Sequence, residues 1–461
     1  MTLYSRRLLP LLAAALAAPA LASAQAPAVD LEFPIERFEL DNGLQVVVSE
    51  DHSSPTVAIA VYYDVGSRNE VQGRSGFAHL FEHMMFQGSQ NIPKGGHFQY
   101  VSINGGSMNG TTSEDRTNYY EILPSDRLAL GLWLEADRMR SLDISAENFE
   151  NQRQVVKEER RLRIDNVPYM NGFLEFFDHA YDSFEYGHSV IGSMDDLDAA
   201  ELSDVQAFFD LYYVPNNAVL TVVGDTTVEE VRQLANLYFG PIPAGEEPPA
   251  VNIVEPERTA MSVHSMEDPL ATQPMVMVGW QVPPGPSEIN DTLQVLDSIL
   301  VAGQSSRLHT RLVRQEQAAL EVASFLEGRR GPDIEVVYAI CAGDNHEQVR
   351  ALIFDEIATL REEGVTQEEL DTARTQILRA TVSGVEEFLG RSLVLGSDAL
   401  YYDDPGRINS QVERLMAVTV EDVNEALQTY FLPERATLMT ITPAAAESAD
   451  ATDGEETAAG E

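Results

Sequence analysis

The chain has 461 residues, of which 44% are hydrophobic, enough for two or more globular domains. Its formal net charge of −44, from 30 basic against 74 acidic side chains, excludes a nucleic-acid binder, which needs clustered Lys and Arg against phosphate. A single cysteine, Cys341, excludes an intramolecular disulfide framework and sits in an apolar run as a core residue.

From the amino terminus, Arg6-Arg7 precedes the apolar run Leu8 to Leu21, and Ala22-Ser23-Ala24 offers a small-residue cleavage pattern. Residues 1–24 are therefore expected to be a signal peptide, which makes the mature chain an exported protein, periplasmic or secreted. No later stretch approaches about twenty uninterrupted apolar residues, so a soluble mature chain is expected.

Asn42-Gly43 predicts a hairpin, and Thr56–Tyr63 predicts a strand. Next comes a helix between Ser75, a candidate N-cap, and Gly88, a candidate C′ residue. Within it Phe77, Leu80, Phe81 and Met84 form one apolar stripe, while His79 and His83, four apart, share a neighbouring face with Glu82 beside them. Two imidazoles at that spacing can ligate one Zn²⁺, and Glu82 is placed to take a proton from a water there.

A candidate third ligand, Glu159, comes from the predicted helix Ser145–Ile164, the alternative for it being a salt bridge to Arg160, Arg163 or another basic group. Phe149, Val155, Val156 and Leu162 are expected to define its buried face, with Glu159 among them and Glu158 about 100° away. A carboxylate among apolar side chains is costly unless it is paired or bound to metal. His79, His83 and Glu159 would leave a fourth tetrahedral position for water, the arrangement of a catalytic rather than a closed structural site.

Punctuation at Gly240-Pro241-Ile242-Pro243 and Pro248-Pro249 marks a linker. It is placed at 241–257, between an N-terminal zinc-bearing domain at 33–240 and a C-terminal domain without metal at 258–442. Residues 443–461 are acidic and expected to be disordered. The two domains look duplicated. Aligning Leu202–Val222 with Val420–Thr440 pairs Asp204-Val205 with Asp422-Val423, Tyr212 with Tyr430, Pro215 with Pro433 and Leu220 with Leu438. The fold class expected is α+β, two homologous domains that each pack helices on a mostly antiparallel sheet.

His79-Leu80-Phe81-Glu82-His83, together with Gln152-Arg153-Gln154-Val155-Val156-Lys157-Glu158-Glu159-Arg160, resembles the inverzincins, the pitrilysin and insulinase family of zinc peptidases. Ser107-Met108-Asn109-Gly110-Thr111-Thr112-Ser113 is similar to the family's active-site edge strand, which implies that Asn109, Gly110 and Thr111 hold a peptide substrate. Tyr186-Gly187-His188 and Gly303-Gln304-Ser305-Ser306-Arg307-Leu308 are also similar to family segments; His188 itself is read as a structural loop histidine.

The resemblance implies half of a clamshell, one Zn²⁺ per chain, peptide or unfolded polypeptide as substrate, and a homodimer or a heterodimer with a sister chain lacking the zinc motif. Relatives carry a second Glu where this chain has Gln152. Relatives also use an Arg and a Tyr from a C-terminal half, for which Arg330 with Tyr338, or Arg391 with Tyr401, are the candidates. The alternative to an active peptidase is a catalytically weak structural or peptide-binding subunit.

Overall fold

A computed structural model describes residues 31–444, so the expected signal peptide and nearly all of the acidic tail lie outside the described residues. The first half begins with the hairpin β1 (Glu36–Glu39) and β2 (Gln45–Glu50), turning at Gly43 with φ +85°, then β3 (Thr56–Tyr63). There follow α1 (Phe77–Met84), α2 (Gly96–Ile103), the hairpin β4 (Ser107–Thr112) and β5 (Thr117–Pro124), α3 (Leu128–Ser141) and α4 (Ala146–Arg160). A wider helical turn, Arg161–Asp165, extends α4 before α5 (Met170–Ala180), α6 (Phe184–Gly187), α7 (Met194–Ala199), α8 (Leu202–Tyr212), β6 (Ala218–Gly224) and α9 (Val228–Tyr238).

Residues 243–260 carry neither helix nor strand. The second half is β7 (Ser262–Asp268), β8 (Met275–Val282), α10 (Asn290–Leu300), β9 (Ala319–Leu326), β10 (Asp333–Cys341), α11 (His346–Glu363), α12 (Gln367–Glu386), α13 (Phe388–Tyr402), α14 (Arg407–Ala417), α15 (Val420–Tyr430) and β11 (Thr437–Pro443). Pro443 thus closes a strand instead of opening the tail.

Two mostly antiparallel sheets result, in the orders β1-β2-β6-β3-β5-β4 and β7-β11-β8-β10-β9. Their one parallel pairing each is β2 with β6 and β11 with β7. The fold is α+β with two sheets, as the alternation of short apolar runs and amphipathic segments requires. The sequence repeat falls on equivalent pieces: α8 and α15 each end before a Pro-led turn, at Pro215 and Pro433, that feeds β6 or β11.

One core joins the first sheet to α1, α3, α8 and α9, and another joins the second sheet to α10, α11, α12 and α15. The remaining face of each sheet is covered by a helix from the other half. α5 lays Phe176 into a cluster with Met275, Met277, Ile334, Met439 and Ile441 of the second sheet. α13 lies on β3 and β6, where Tyr62 donates to the Leu393 carbonyl at 2.9 Å and the Thr221 and Ser392 hydroxyls meet at 2.7 Å. Glycines permit both approaches: a Cβ on Gly172 would lie 2.1 Å from Ile441 Cδ1, and one on Gly396 would lie 2.4 Å from Tyr62 Cε2.

A partly buried ionic cluster also spans the halves. Arg68 bonds Asp115 at 3.0 Å and Asp64 at 2.7 Å; Arg330 bonds Asp64 at 2.5 Å; Arg329 bonds Glu114 at 2.8 Å. Such a cluster specifies one docking geometry more than it adds net stability, because desolvation opposes the Coulomb attraction. Among the described residues no helix is long and apolar enough to cross a membrane.

Candidate metal centre

Burial of one stripe of α1 decides where its polar face points. Phe77, Leu80, Phe81 and Met84 enter the first core, where Phe81 stacks on Phe208, Phe209 and Tyr213 at 5.4, 6.1 and 5.0 Å. His79, Glu82 and His83 are left on the opposite edge, facing α4 and β4. The helix is shorter than its sequence suggests: Gly76 with φ +88° is the N-cap, and Met85 ends it. Ser75 caps nothing; its hydroxyl goes to Asp196 at 2.5 Å, because the left-handed Gly76 turns the chain away from the first helical amides.

α4 brings the third group. Ser145 caps it by accepting from the Asn148 amide, and Phe149 and Val156 are buried. Val155 and Leu162 are not: they are 42% and 63% exposed, correcting the expected buried face. Glu159 therefore looks into a cleft rather than the core.

Glu159 Oε2 lies 3.2 Å from His83 Nε2 and 3.7 Å from His79 Nε2, and one donor atom of each residue falls within 4.8 Å of the others. The imidazole rings stand at 75° with centroids 4.8 Å apart. Two imidazole nitrogens and one carboxylate oxygen converging on one point suit a divalent ion of the zinc type with a position to spare. No other such cluster occurs among the described residues.

Electrostatics prepare the donors. Burial, with the neighbouring His83 charge, pulls His79 down to about 4, so its ring is neutral and its lone pair available at neutral pH. The hydrogen bond to His83 holds Glu159 below the ordinary carboxylate range despite partial burial, and the exposed Arg163 makes an ion pair with its other oxygen at 3.1 Å. Burial instead pushes Glu82 upward, opposed first by a hydrogen bond from Thr112. A raised carboxyl beside the donors suits proton transfer.

The cleft has a volume of about 640 Å³. β4 forms one wall and the edge of its sheet, with Asn109, Gly110 and Thr111 lining the cleft. Gln152, buried, bonds Asn151 at 2.8 Å at the cleft wall.

The expected Arg and Tyr pairs are not formed. Arg330 meets the ring of Tyr401 at 5.6 Å, Tyr338 packs on Phe173, and Arg391 is buried against Asp51 and Phe33. None of the four lines the cleft. Sequence reasoning also missed Thr112, whose place two residues beyond Gly110 on the same strand puts its side chain on the Glu82 side.

The second half repeats the frame without the donors. Gly88 and Gly303 both have positive φ, and taking them as equivalent places Gln294, Asp297 and Ser298 at the positions of His79, Glu82 and His83. Ser298 bonds Gln376 of α12 at 3.4 Å, where the first half has His83 against Glu159. Amide and hydroxyl groups in those places are poor ligands for a transition-metal ion.

Residues 45–168 match the family model described as Insulinase (Peptidase family M16), and residues 199–377 match the model described as Peptidase M16 inactive domain. The chain is 31% identical over 416 residues to the zinc protease PqqE of Helicobacter pylori, covering 88% of this chain and 93% of that protein. An uncharacterized zinc protease of Mycobacterium leprae is 27% identical over 392 residues, covering 84% and 87%. Among solved structures, a protease from Helicobacter pylori superposes with a TM-score of 0.85 at 29% identity, covering 89% of this chain and all of that one. The periplasmic protease PqqL from Escherichia coli superposes at 0.74 with 20% identity, covering 90% of this chain and 48% of that one. With the donor cluster, the two related sheets and these matches along its length, the chain belongs to the insulinase family, peptidase family M16.

Proposed function

We propose that the protein is a zinc metalloendopeptidase that hydrolyses peptides or unfolded polypeptide segments. The observation that carries the reading is the convergence of His79, His83 and Glu159 beside Glu82 in a cleft beneath an unpaired strand edge. His79, His83 and Glu159 would hold the ion. When bound, Zn²⁺ supplies Lewis acidity to a water and to the scissile carbonyl.

Glu82 accepts the proton of that water and delivers it to the leaving amine. Thr112 holds one oxygen of Glu82 at 2.7 Å, leaving the other to face the reacting atoms. An extended substrate adds to the outer edge of β4 through its backbone, with Asn109, Gly110 and Thr111 along it, so selectivity by side chain is loose. An unfolded segment can extend along this edge inside the cleft, whereas a folded domain is too bulky to lay a strand there. The leader-like Arg6-Arg7 and apolar run support export, and the half-clamshell expected from the resemblance supports a second chain, identical or a sister lacking the motif.

Replacing Glu82 with Gln tests the assignment. Zinc content should stay at one per chain while chelator-sensitive cleavage of a quenched peptide is lost. A purified variant cleaving at the normal rate would remove Glu82 from the mechanism, and a wild-type chain that takes up no zinc would remove the metal.

A further inference from the structure

α1 begins without a side-chain cap of its own, so its first amides need acceptors from elsewhere. Glu70 supplies them from the turn that follows Ser67–Asn69. One carboxylate oxygen accepts from Gly76 N–H at 2.9 Å and the other from Ala78 N–H at 2.8 Å. Its side chain is 0% exposed, and a carboxylate so buried needs a counter-charge.

His188 provides it. Its Nε2 lies 2.8 Å from Glu70 Oε2, its Nδ1 lies 2.5 Å from the Phe184 carbonyl oxygen, and its ring stacks on Phe184 at 4.1 Å. Both ring nitrogens face acceptors, an arrangement satisfied when the ring carries two protons. Burial opposes that charge, but the hydrogen bond and charge of Glu70 outweigh it and raise His188 above its ordinary value. Two residues before His188, the Tyr186 hydroxyl bonds Asp115 at 2.7 Å and accepts from Gly331 N–H at 2.8 Å, tying this loop to the contact between the halves.

His79 immediately follows Ala78, whose amide Glu70 holds, and the first backbone bond of the helix runs from Leu80 N–H to Gly76. The first donor therefore sits in the turn most exposed to fraying. We propose that Glu70 and His188 are a positioning pair that fixes the start of α1 and, through it, the direction in which His79, Glu82 and His83 project. The inference rests on the reading of α1 as the metal-bearing helix.

The test compares Glu70→Gln, His188→Ala and His188→Gln in the mature full chain. Zinc affinity is read by competition with a chromogenic chelator, and hydrogen exchange of α1 amides is read in zinc-free protein. Glu70→Gln and His188→Ala should bind zinc about tenfold more weakly. Their α1 amides should exchange faster while those of β3 and β6 keep wild-type rates, and kcat should fall with KM unchanged. His188→Gln, which keeps a neutral donor toward Glu70, should recover part of the loss, and it stands in if Glu70→Gln does not fold. Wild-type zinc affinity and α1 exchange in the variants would overturn the proposal, as would exchange accelerated equally across the sheet. Loosening confined to α1 in a chain whose wild type takes up no zinc would uphold the clamp on the helix and overturn the metal reading instead.

Discussion

The Thr112 hydroxyl, at the end of β4, donates a 2.7 Å hydrogen bond to the carboxylate of Glu82 on α1. It fixes which oxygen of Glu82 is free, and it opposes the rise that burial imposes on that carboxyl. Thr112→Val keeps the shape and removes the donor. A hydrogen bond to a charged group contributes about 1.5–3 kcal/mol, so kcat should fall about tenfold or more with zinc content unchanged. Peptide turnover alongside metal analysis checks this; full turnover in the variant would show that Glu82 orients itself.

Gly110 lines the same cleft, and a Cβ there would stand 3.0 Å from Tyr119 Cδ1 and 3.1 Å from Glu82 Cγ. Tyr119 is buried, so Glu82 is the partner that yields. Gly110→Ala should keep the fold and lower kcat roughly tenfold by displacing Glu82, since small misplacements of a reacting group are costly. Unfolding curves matching wild type, with reduced kcat, are the expected pair of results.

Beneath the site, Glu121 is fully buried in β5 and sits beside Glu135, which pairs with Arg138. Burial, then the Glu135 charge, hold Glu121 well above the ordinary range. A carboxyl raised in the folded state contributes stability that is complete below its unfolded value and is lost as pH rises through its folded value. Glu121→Gln has no such proton to lose. Its melting temperature should exceed wild type by a few degrees at pH 8, with the gap closing toward pH 4. A constant gap across that window would count against a protonated Glu121.

Gly172 and Gly396 let α5 and α13 approach the opposite sheets, against Ile441 and Tyr62. Overpacking a tight contact costs about 1–3 kcal/mol. Gly172→Val and Gly396→Val should each lower stability by that much in denaturant titrations, although neither lies near the cleft. Unchanged midpoints would mean that the helices slide without cost.

Elements set by local chemistry were legible in the sequence. The Asn42-Gly43 hairpin, the span of β3, the two-histidine face of α1 and the repeat shared by α8 and α15 need only turn residues and periodicity. Where two surfaces compete, the pattern was ambiguous. Periodicity put Val155, Glu159 and Leu162 on one apolar face, but it cannot tell a core from a cleft or open surface, and here Glu159 lines the cleft while Val155 and Leu162 are exposed. Contacts between distant segments were out of reach. Arg330 meets Asp64 only because the halves fold over one another, and Glu70 reaches His188 only because the first half brings together segments more than a hundred residues apart. The cap on α1 was misassigned to Ser75 because a local hydroxyl is visible in a sequence and a remote carboxylate is not.

The helices exchanged between the sheets bear on how such a chain can be divided. A fragment ending in the region 243–260 would keep every candidate metal ligand yet lose α13, leaving β3 and β6 open to water on one face, while α5 would present Phe176 with no sheet to cover. The two halves, though built alike, are no longer separable parts. Each half on its own would leave a bare sheet face, and the single chain covers both by trading helices internally.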